Sequence, residues 1–524
     1  MSLNKKSSSF FFINVVVFIC GAVLMSLEIS GSRVLTPYFG NTIFVWASLI
    51  SILLAALACG YYLGGKLADK IPSFTLWGAT VGLAGIFTLI IPFLSGPICR
   101  TIVNFETEDR IGSLLASCFI FFLPSILLGM VSPFAIKFSL KNISVAGDIA
   151  GKLYAVSAVG NIFGTLFTAF YLISKLKVSE IFNVLGLTLI FTSVVILVSG
   201  RRMLNFTVSI ILAAISLVLT MLHPPGLIAT SEDEVIRLQK DSFYHHIMVV
   251  DNLKQKIREL RFDKLSQTAI RLAGSHESAY NYSDMLHIPL VFCPRMRNVL
   301  FIGGGGAVVP RNYYFDYRGI NVDMVEIDPA VVQISKDYFF FKPYNNLRPI
   351  IDDGRRFVQK TKRKYDVVII DAFNARGDVP FHLLTKEFFG ELETKMSPGG
   401  TLAINLICSV TGRRSGLFLA IYKTLAAAFN NVYVFPNVLY DPLKDYTQRR
   451  NVIIVATKTG IRLSPQKLYQ KMDKLVKSGR VKISNFAEYA RYSLEINPSE
   501  LKDAILLTDE YAPVEYLAQS RILP

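Results

Sequence analysis

Apolar residues are distributed unevenly along this chain. Between Phe10 and Leu222 they form seven long runs, near 11–35, 44–64, 75–98, 112–138, 153–174, 180–199 and 204–222. Each approaches or exceeds the roughly 20 residues that a helix needs to cross a bilayer. After the junction His223-Pro224-Pro225-Gly226 the runs become short and rich in β-branched residues. Val299–Ile302 breaks into Gly303-Gly304-Gly305-Gly306, and Val322–Ile327 closes on Glu326-Ile327-Asp328-Pro329. A third segment carries Asp352-Asp353-Gly354, and Tyr365–Ile370 stops at Asp371. Short β-branched runs that end on glycine or a carboxylate read as parallel strands of an open α/β sheet, with chemistry at their carboxyl ends.

The pattern around them completes the expectation. Residues 242–250 alternate like a strand, and Leu260–Asp263 reads as the end of a second one. Tyr280–Leu290 reads as helical. Strands are expected near 401–406, 431–435 and 451–456, with a helix near 415–429 between them. The fold class is therefore a multi-span α-helical membrane domain over 1–222, a small β-rich lead-in over 227–275, and an α/β, Rossmann-like domain over 276–524.

Composition sharpens this division. The chain is 52% hydrophobic and 18% charged, with a mean hydropathy of +0.42, against about 25% charged residues in average soluble chains. The shortfall sits in the first 222 residues. The net charge of +16 is explained by basic loops flanking spans, so no nucleic-acid partner is called for. The six cysteines show no CxxC pair and no histidine-spaced cluster. They imply neither a metal site nor a disulfide framework.

Lys5, Lys6, Lys66, Lys70, Lys137 and Lys152 fall at the start and in alternate loops. The positive-inside rule then places the N-terminus in the cytoplasm, and seven spans would put the second half outside. The ligand inferred for that half is a cytosolic metabolite. The expectation is a multi-pass protein of the inner (plasma) membrane with a cytoplasmic catalytic half. The fourth run, interrupted by Pro124 and Pro133, is the first suspect for the odd count. Glu28 lies mid-span, followed by Arg33. A charge in hydrocarbon costs at least about 2.5–3.5 kcal/mol, so Glu28 faces either a binding site or an ionic partner. Gly60, Gly64 and Gly65, and Gly160 with Gly164, have the small-residue spacing of closely packed helices.

The candidate chemistry follows from the strand ends. Gly303, Gly304 and Gly305 allow backbone to approach a ligand and turn sharply into a helix. Glu326 lies roughly 20 residues further on, where an acid can accept from ribose hydroxyls. Asp353 can accept from an adenine amine, and Asp371 faces the reacting group. Aspartate also caps turns, so a purely structural Asp371 stays open, as does a surface role for Glu326.

These residues carry a resemblance. Segments 242–405 resemble the polyamine aminopropyltransferases, the spermidine synthase family. The matching pieces are Tyr244-His245-His246-Ile247, Phe262-Asp263 with Gln267, Tyr282-Ser283-Asp284-Met285, the glycine run, Val325–Pro329, Asp353-Gly354, Asp371 and Leu383-Leu384-Thr385. The first half is similar to a bacterial branch in which such a domain follows a multi-span region, through Leu27-Glu28, Arg33, Gly64–Asp69 and Lys152–Ala155.

The resemblance implies a class I methyltransferase-like fold. It also implies transfer of an aminopropyl group from decarboxylated S-adenosylmethionine to a putrescine-like amine, releasing methylthioadenosine. S-adenosylmethionine or its decarboxylated form would be the co-substrate, without a metal. Glu326 would hold the ribose and Asp353 the adenine amine. Gly303, Gly304, Gly305, Gly354, Gln267, His245 and Pro380 would complete the nucleoside site. Asp371 would be the general base, with Tyr282 beside it.

Four positions depart from the family pattern: Gly306 for an aspartate, His245 for a glutamine, Ser283 for a histidine, and Asn374 for a second aspartate. All four lie toward the amine. Cleavage of S-adenosylmethionine without an amine, methyl transfer, and a nucleoside-sensing membrane transporter therefore stay open. The partners expected are the small-molecule substrate and the lipid bilayer, and a homo-oligomer is left open.

Overall fold

The computed structural model describes residues 3–39, 43–105, 109–140, 145–200, 203–222, 233–242, 244–263, 265–272, 277–373, 377–441, 443–458 and 460–519. The junction at 223–226 and Asn374 lie outside the described residues. The chain divides into two compact units. One comprises Met1–Ala229 with Lys240–His246, the other Thr230–Gln239 with Ile247–Pro524.

The first unit is helical: α1 (Leu3–Phe39), α2 (Ile43–Lys70), α3 (Phe74–Asn104), α4 (Asp109–Gly129), α5 (Val131–Ser139), α6 (Ala146–Phe167), α7 (Ile173–Lys175), α8 (Val178–Ser199) and α9 (Met203–Met221). A π-helical turn, Thr168–Leu172, joins α6 to α7. Among the described residues six helical stretches are long and apolar enough to cross a membrane. The seventh expected run is α9, whose described apolar part, Thr207–Leu219, is shorter.

The fourth expected segment is broken where the prolines suggested. Pro133 has no N–H to give to Gly129, the residue four before it, and α4 stops at Gly129 while α5 starts at Val131. Glu28 and Arg33 share the continuous helix α1. Five residues on one helix put them about 140° apart around its axis.

Glycine sets how closely these helices approach. A methyl group on Gly160 would sit 2.3 Å from the Phe18 carbonyl oxygen, and one on Gly164 2.0 Å from that of Ala22. The α1–α6 contact is thus backbone against backbone, and Thr168 Oγ1 crosses it to Ser26 Oγ at 2.8 Å. Gly60 meets Ile126 of α4 in the same way, at 2.3 Å. Gly65 has open space around it, so of the three glycines in α2 the two at positions 60 and 64 do the packing. The outer surface is apolar: Phe119, Phe170 and Phe191 are 68%, 73% and 70% exposed.

The second unit carries two sheets. The small one has the strand order β1 (Glu234–Asp241), β2 (His246–Asn252), β3 (Ile257–Phe262), β4 (Leu265–Arg271). The expected helix over 280–290 is instead two short pieces, α10 (Tyr282–Met285) and a 3₁₀ turn at Ile288–Val291, because Pro289 cannot continue an α-helical ladder. The large sheet contains β5 (Asn298–Ile302), β6 (Asn321–Glu326), β7 (Leu347–Ile351), β8 (Tyr365–Ile370), β9 (Met396–Cys408), β10 (Asn431–Pro436) and β11 (Arg450–Thr457). Its order is β10-β11-β9-β8-β5-β6-β7.

Strands β7, β6, β5, β8 and β9 run parallel, and β11 is antiparallel to both β9 and β10. Five helices, α11 (Val308–Asp316), α12 (Pro329–Tyr338), α13 (Gly354–Lys360), α14 (Lys386–Glu393) and α15 (Gly416–Ala428), alternate with these strands. Helices α16 (Pro465–Lys477) and α17 (Val514–Gln519) follow. The central strands are buried on both faces, as Val299–Ile302 and Val367–Ile370 illustrate. This accounts for their unbroken apolar sequence. Strand order reverses between β5 and β8, the switch point where open α/β sheets form their ligand crevice.

Placing leucine at Gly164 should push α1 and α6 apart and destabilise the helical unit by about 1–3 kcal/mol. The same change at Gly65 should stay within about 0.5 kcal/mol. Thermal unfolding of the detergent-solubilised full chain checks both.

Candidate active site

Parallel register brings four strand ends level. The Asp371 N–H donates to the Ile302 carbonyl at 2.9 Å, Gly303 N–H to Val325 at 2.9 Å, and Asp352 N–H to Glu326 at 3.2 Å. Asp371, Gly303, Glu326 and Asp353 are therefore neighbours at one edge. Gly303 is held at φ +97°, and a side chain there would lie 2.2 Å from the Asp371 carbonyl oxygen. Only glycine tolerates both conditions. Gly354 is as tightly placed, its would-be Cβ 2.4 Å from Ile302 Cγ2. This seats the start of α13 against β5.

The three carboxylates have different environments. Glu326 is buried, and burial pushes its carboxyl above the usual range against the pull of its hydrogen bonds. Its Oε2 accepts from Gly304 N–H at 2.9 Å and Gly305 N–H at 3.3 Å, and its Oε1 from Asp328 N–H at 3.1 Å. A carboxylate has about four lone-pair positions, so one, on Oε1, is left for a ligand hydroxyl. Asp353 caps α13 through Arg356 N–H at 2.9 Å and lies 3.0 Å from His382 Nε2. Burial raises its carboxyl, but the Arg356 bond and then the imidazole outweigh burial and hold it below its ordinary value. Pro380 opens the 3₁₀ turn Phe381–Leu383 that carries His382 to this contact.

Asp371 is the most perturbed of the three. Burial pushes its carboxyl up to about 6, opposed by one hydrogen bond from Asn405. Asn405 Nδ2 donates to Asp371 Oδ1 at 2.8 Å, and Asn451 Nδ2 donates to Asn405 Oδ1 at 3.1 Å. A carboxyl with a raised pKa in a crevice is what general-base chemistry near neutrality requires. Tyr282 lies within reach of that charge. Burial first, then Asp371, then Tyr280 push its phenol far above the ordinary value, so it stays protonated. It donates to the Gln267 carbonyl at 2.9 Å.

Gln267 and Tyr282 line a cavity of about 430 Å³ together with Tyr280, Asn281, Asn437 and Asn451. The next residue on β4, Thr268, accepts from Gly306 N–H at 3.2 Å and ties the small sheet to the glycine loop. The hairpin segment Lys240–His246 is part of the helical unit, and burial pulls the His245 imidazole down to about 4.

Several residues at the site escaped sequence reasoning. Asn405 had a readable signal: it is a lone amide inside the apolar run Thr401–Leu406, and buried polar groups demand partners. His382, Asn451 and Tyr280 had no such signal, because each meets its partner across a long stretch of chain or a turn.

Sheet order and strand ends together define a methyltransferase-like α/β domain. Residues 277–438 match the family model described as spermine/spermidine synthase domain. A polyamine aminopropyltransferase of Vibrio vulnificus is 29% identical over 313 residues, spanning 58% of this chain and 96% of that protein. Polyamine aminopropyltransferase 2 of Aquifex aeolicus is 24% identical over 464 residues, spanning 81% of this chain and 84% of its own. That match is longer than the second unit and reaches into the helical half. A solved spermidine synthase of Thermotoga maritima superposes with a TM-score of 0.40 at 20% identity, over 51% of this chain and 87% of that one. A probable spermidine synthase of Corynebacterium glutamicum gives 0.40 at 18% identity, over 54% and 96%. Residues 277–438, within the second unit, match a spermine/spermidine synthase domain, and the chain is similar to transferases of the aminopropyl-transfer type.

Asn405→Ala removes a bond that favours the charged form of Asp371. The acidic limb of the pH–kcat/KM profile, expected at about 6 from Asp371, should move to higher pH. An unmoved limb would separate Asn405 from the titrating group.

Proposed function

We propose that this protein is a membrane-bound aminopropyltransferase that uses decarboxylated S-adenosylmethionine and an amine acceptor and releases methylthioadenosine. The observation that carries the reading is the half-buried Asp371 carboxyl, raised to about 6, at the strand end beside Gly303. An ammonium cannot attack carbon until it loses a proton. Asp371, ionised above pH 6, takes that proton. The freed lone pair attacks the aminopropyl methylene bonded to the sulfonium. The C–N bond forms, the C–S bond breaks, and its electron pair passes to sulfur, giving a neutral thioether. This leaving group needs little acid assistance, so positioning does most of the work.

In this reading Glu326 accepts from a ribose hydroxyl and Asp353 from the adenine amine. Gly303, Gly304 and Gly305 let the backbone approach the nucleoside, with Gly354 and Pro380 forming its walls. Tyr282 and Gln267 line the acceptor side, and Tyr282 holds its hydroxyl proton at working pH.

The exposed Phe119, Phe170 and Phe191 support a bilayer around the helical unit, since soluble surfaces rarely present such an apolar exterior. We place the soluble unit on the cytoplasmic face of the inner membrane, because a permanently charged sulfonium does not cross hydrocarbon unaided. An even number of crossings reconciles this placement with the lysine-rich start of the chain. A cysteine introduced at exposed Lys254 should react with an impermeant maleimide only after cells are opened.

The assay is incubation of the purified full chain with S-adenosylmethionine or its decarboxylated form, with and without amines, read by mass spectrometry. Methylthioadenosine that requires both the decarboxylated form and an amine is expected. Methylthioadenosine without amine would mean cleavage, and S-adenosylhomocysteine would mean methyl transfer; either overturns the reading. Asp371→Asn should lower amine-dependent kcat by about 10²–10⁴-fold and remove the acidic limb at about pH 6.

A further inference from the structure

The cavity beside Tyr282 is notable for its walls. Its lining is Leu265, Ala279, Phe373 and Ile407 among apolar residues, then Ser266, Tyr280 and Tyr282 with hydroxyls, and the four amides of Gln267, Asn281, Asn437 and Asn451. Among the described residues no Asp, Glu, Lys, Arg or His lines it. A neighbouring cavity of about 840 Å³ shares Ala279 and Asn281 but is lined by Arg271, Arg311, Lys336, Glu277 and Asp284 among others. Neutrality is thus a property of the first cavity and not of the whole region.

Two carboxylates lie behind the wall rather than in it. Glu259 reaches it through Tyr280, whose hydroxyl donates to it at 2.5 Å, and shares the Arg261 guanidinium, with Nε at 3.0 Å, with Glu234. Asp371 connects through Asn405 to Asn451, and its charge is needed at the reacting nitrogen. The glycine loop offers no room for an added acid either. A side chain at Gly306 would meet Thr268 Cγ2 at 2.8 Å and the Phe339 ring at 3.2 Å.

A diamine brings two positive charges to such a site. Asp371 can meet the one that loses its proton. The far ammonium would rest against amides and hydroxyls with no anionic partner among the described wall residues, and so would gain no charge-assisted hydrogen bond there. Amides and hydroxyls can satisfy a neutral polar group fully. We infer that the acceptor is a monoamine whose far end is uncharged and hydrogen-bonding, such as an amino alcohol, and that Asn281, Asn437 and Asn451 select it over a diamine. This rests on the reading of Asp371 as the base in aminopropyl transfer.

The test compares putrescine with 4-amino-1-butanol, which has the same length and differs only in its far group. With the full chain and decarboxylated S-adenosylmethionine, kcat/KM for the amino alcohol should exceed that for putrescine at least tenfold. Asn437→Asp places a carboxylate in the wall and should move that ratio at least tenfold toward putrescine. Asn281→Asp serves the same purpose if the first variant does not fold, as judged by its melting temperature. A wild-type preference for putrescine, or a ratio unmoved by a folded Asp variant, overturns this inference and leaves the transferase reading standing. No amine-dependent methylthioadenosine with either acceptor overturns both.

Discussion

The site depends on backbone hydrogen bonds between parallel strands. Ile302, Val325 and Glu326 present their carbonyls to Asp371, Gly303 and Asp352. Those bonds set the strand ends level before any side chain is considered. Because side chains alternate along a strand, a slip of one residue would turn Glu326 or Asp371 to the opposite face. Gly303 shows how little freedom is left, with its α-carbon hydrogen where any side chain would strike the Asp371 backbone. The ladder is cooperative, and the chemistry rests on its alignment.

Once aligned, three acids of similar intrinsic acidity become three different groups. Asp353 meets an imidazole and a helix N-terminus and is held ionised. Glu326 is buried among backbone N–H donors. Asp371 is half-buried with a single amide donor and rises to about 6. Burial penalises charge in all three, and the number and kind of donors decide how far each carboxyl moves. The acid we propose as the base is the one that received the fewest donors.

The helical unit applies a different physics to the same problem of alignment. In the bilayer we propose around it, apolar side chains gain little by touching one another, so close backbone contact would supply the attraction. Gly160 and Gly164 against Phe18 and Ala22, and Gly60 and Gly64 against Ile126 and Met130, provide it. These glycines occupy positions where any side chain would hold two helices apart.

Local pattern carried much of this structure. The long apolar runs, the β-branched strands and the strand-end residues Gly303, Glu326, Asp353 and Asp371 were legible because period and punctuation are properties of neighbouring residues. The helix expected over 280–290 failed because Pro289 interrupts a pattern whose apolar residues otherwise suit a helix. What only tertiary structure decided are the partners. Asn405 and Asn451 reach Asp371 from β9 and β11, His382 reaches Asp353 across a turn, and the hairpin segment with His245 belongs to the helical unit. The cavity wall of amides and hydroxyls is likewise assembled from six separate stretches of chain. A residue's type and spacing are written along the chain, whereas its electrostatic surroundings come from whatever distant segments are folded against it.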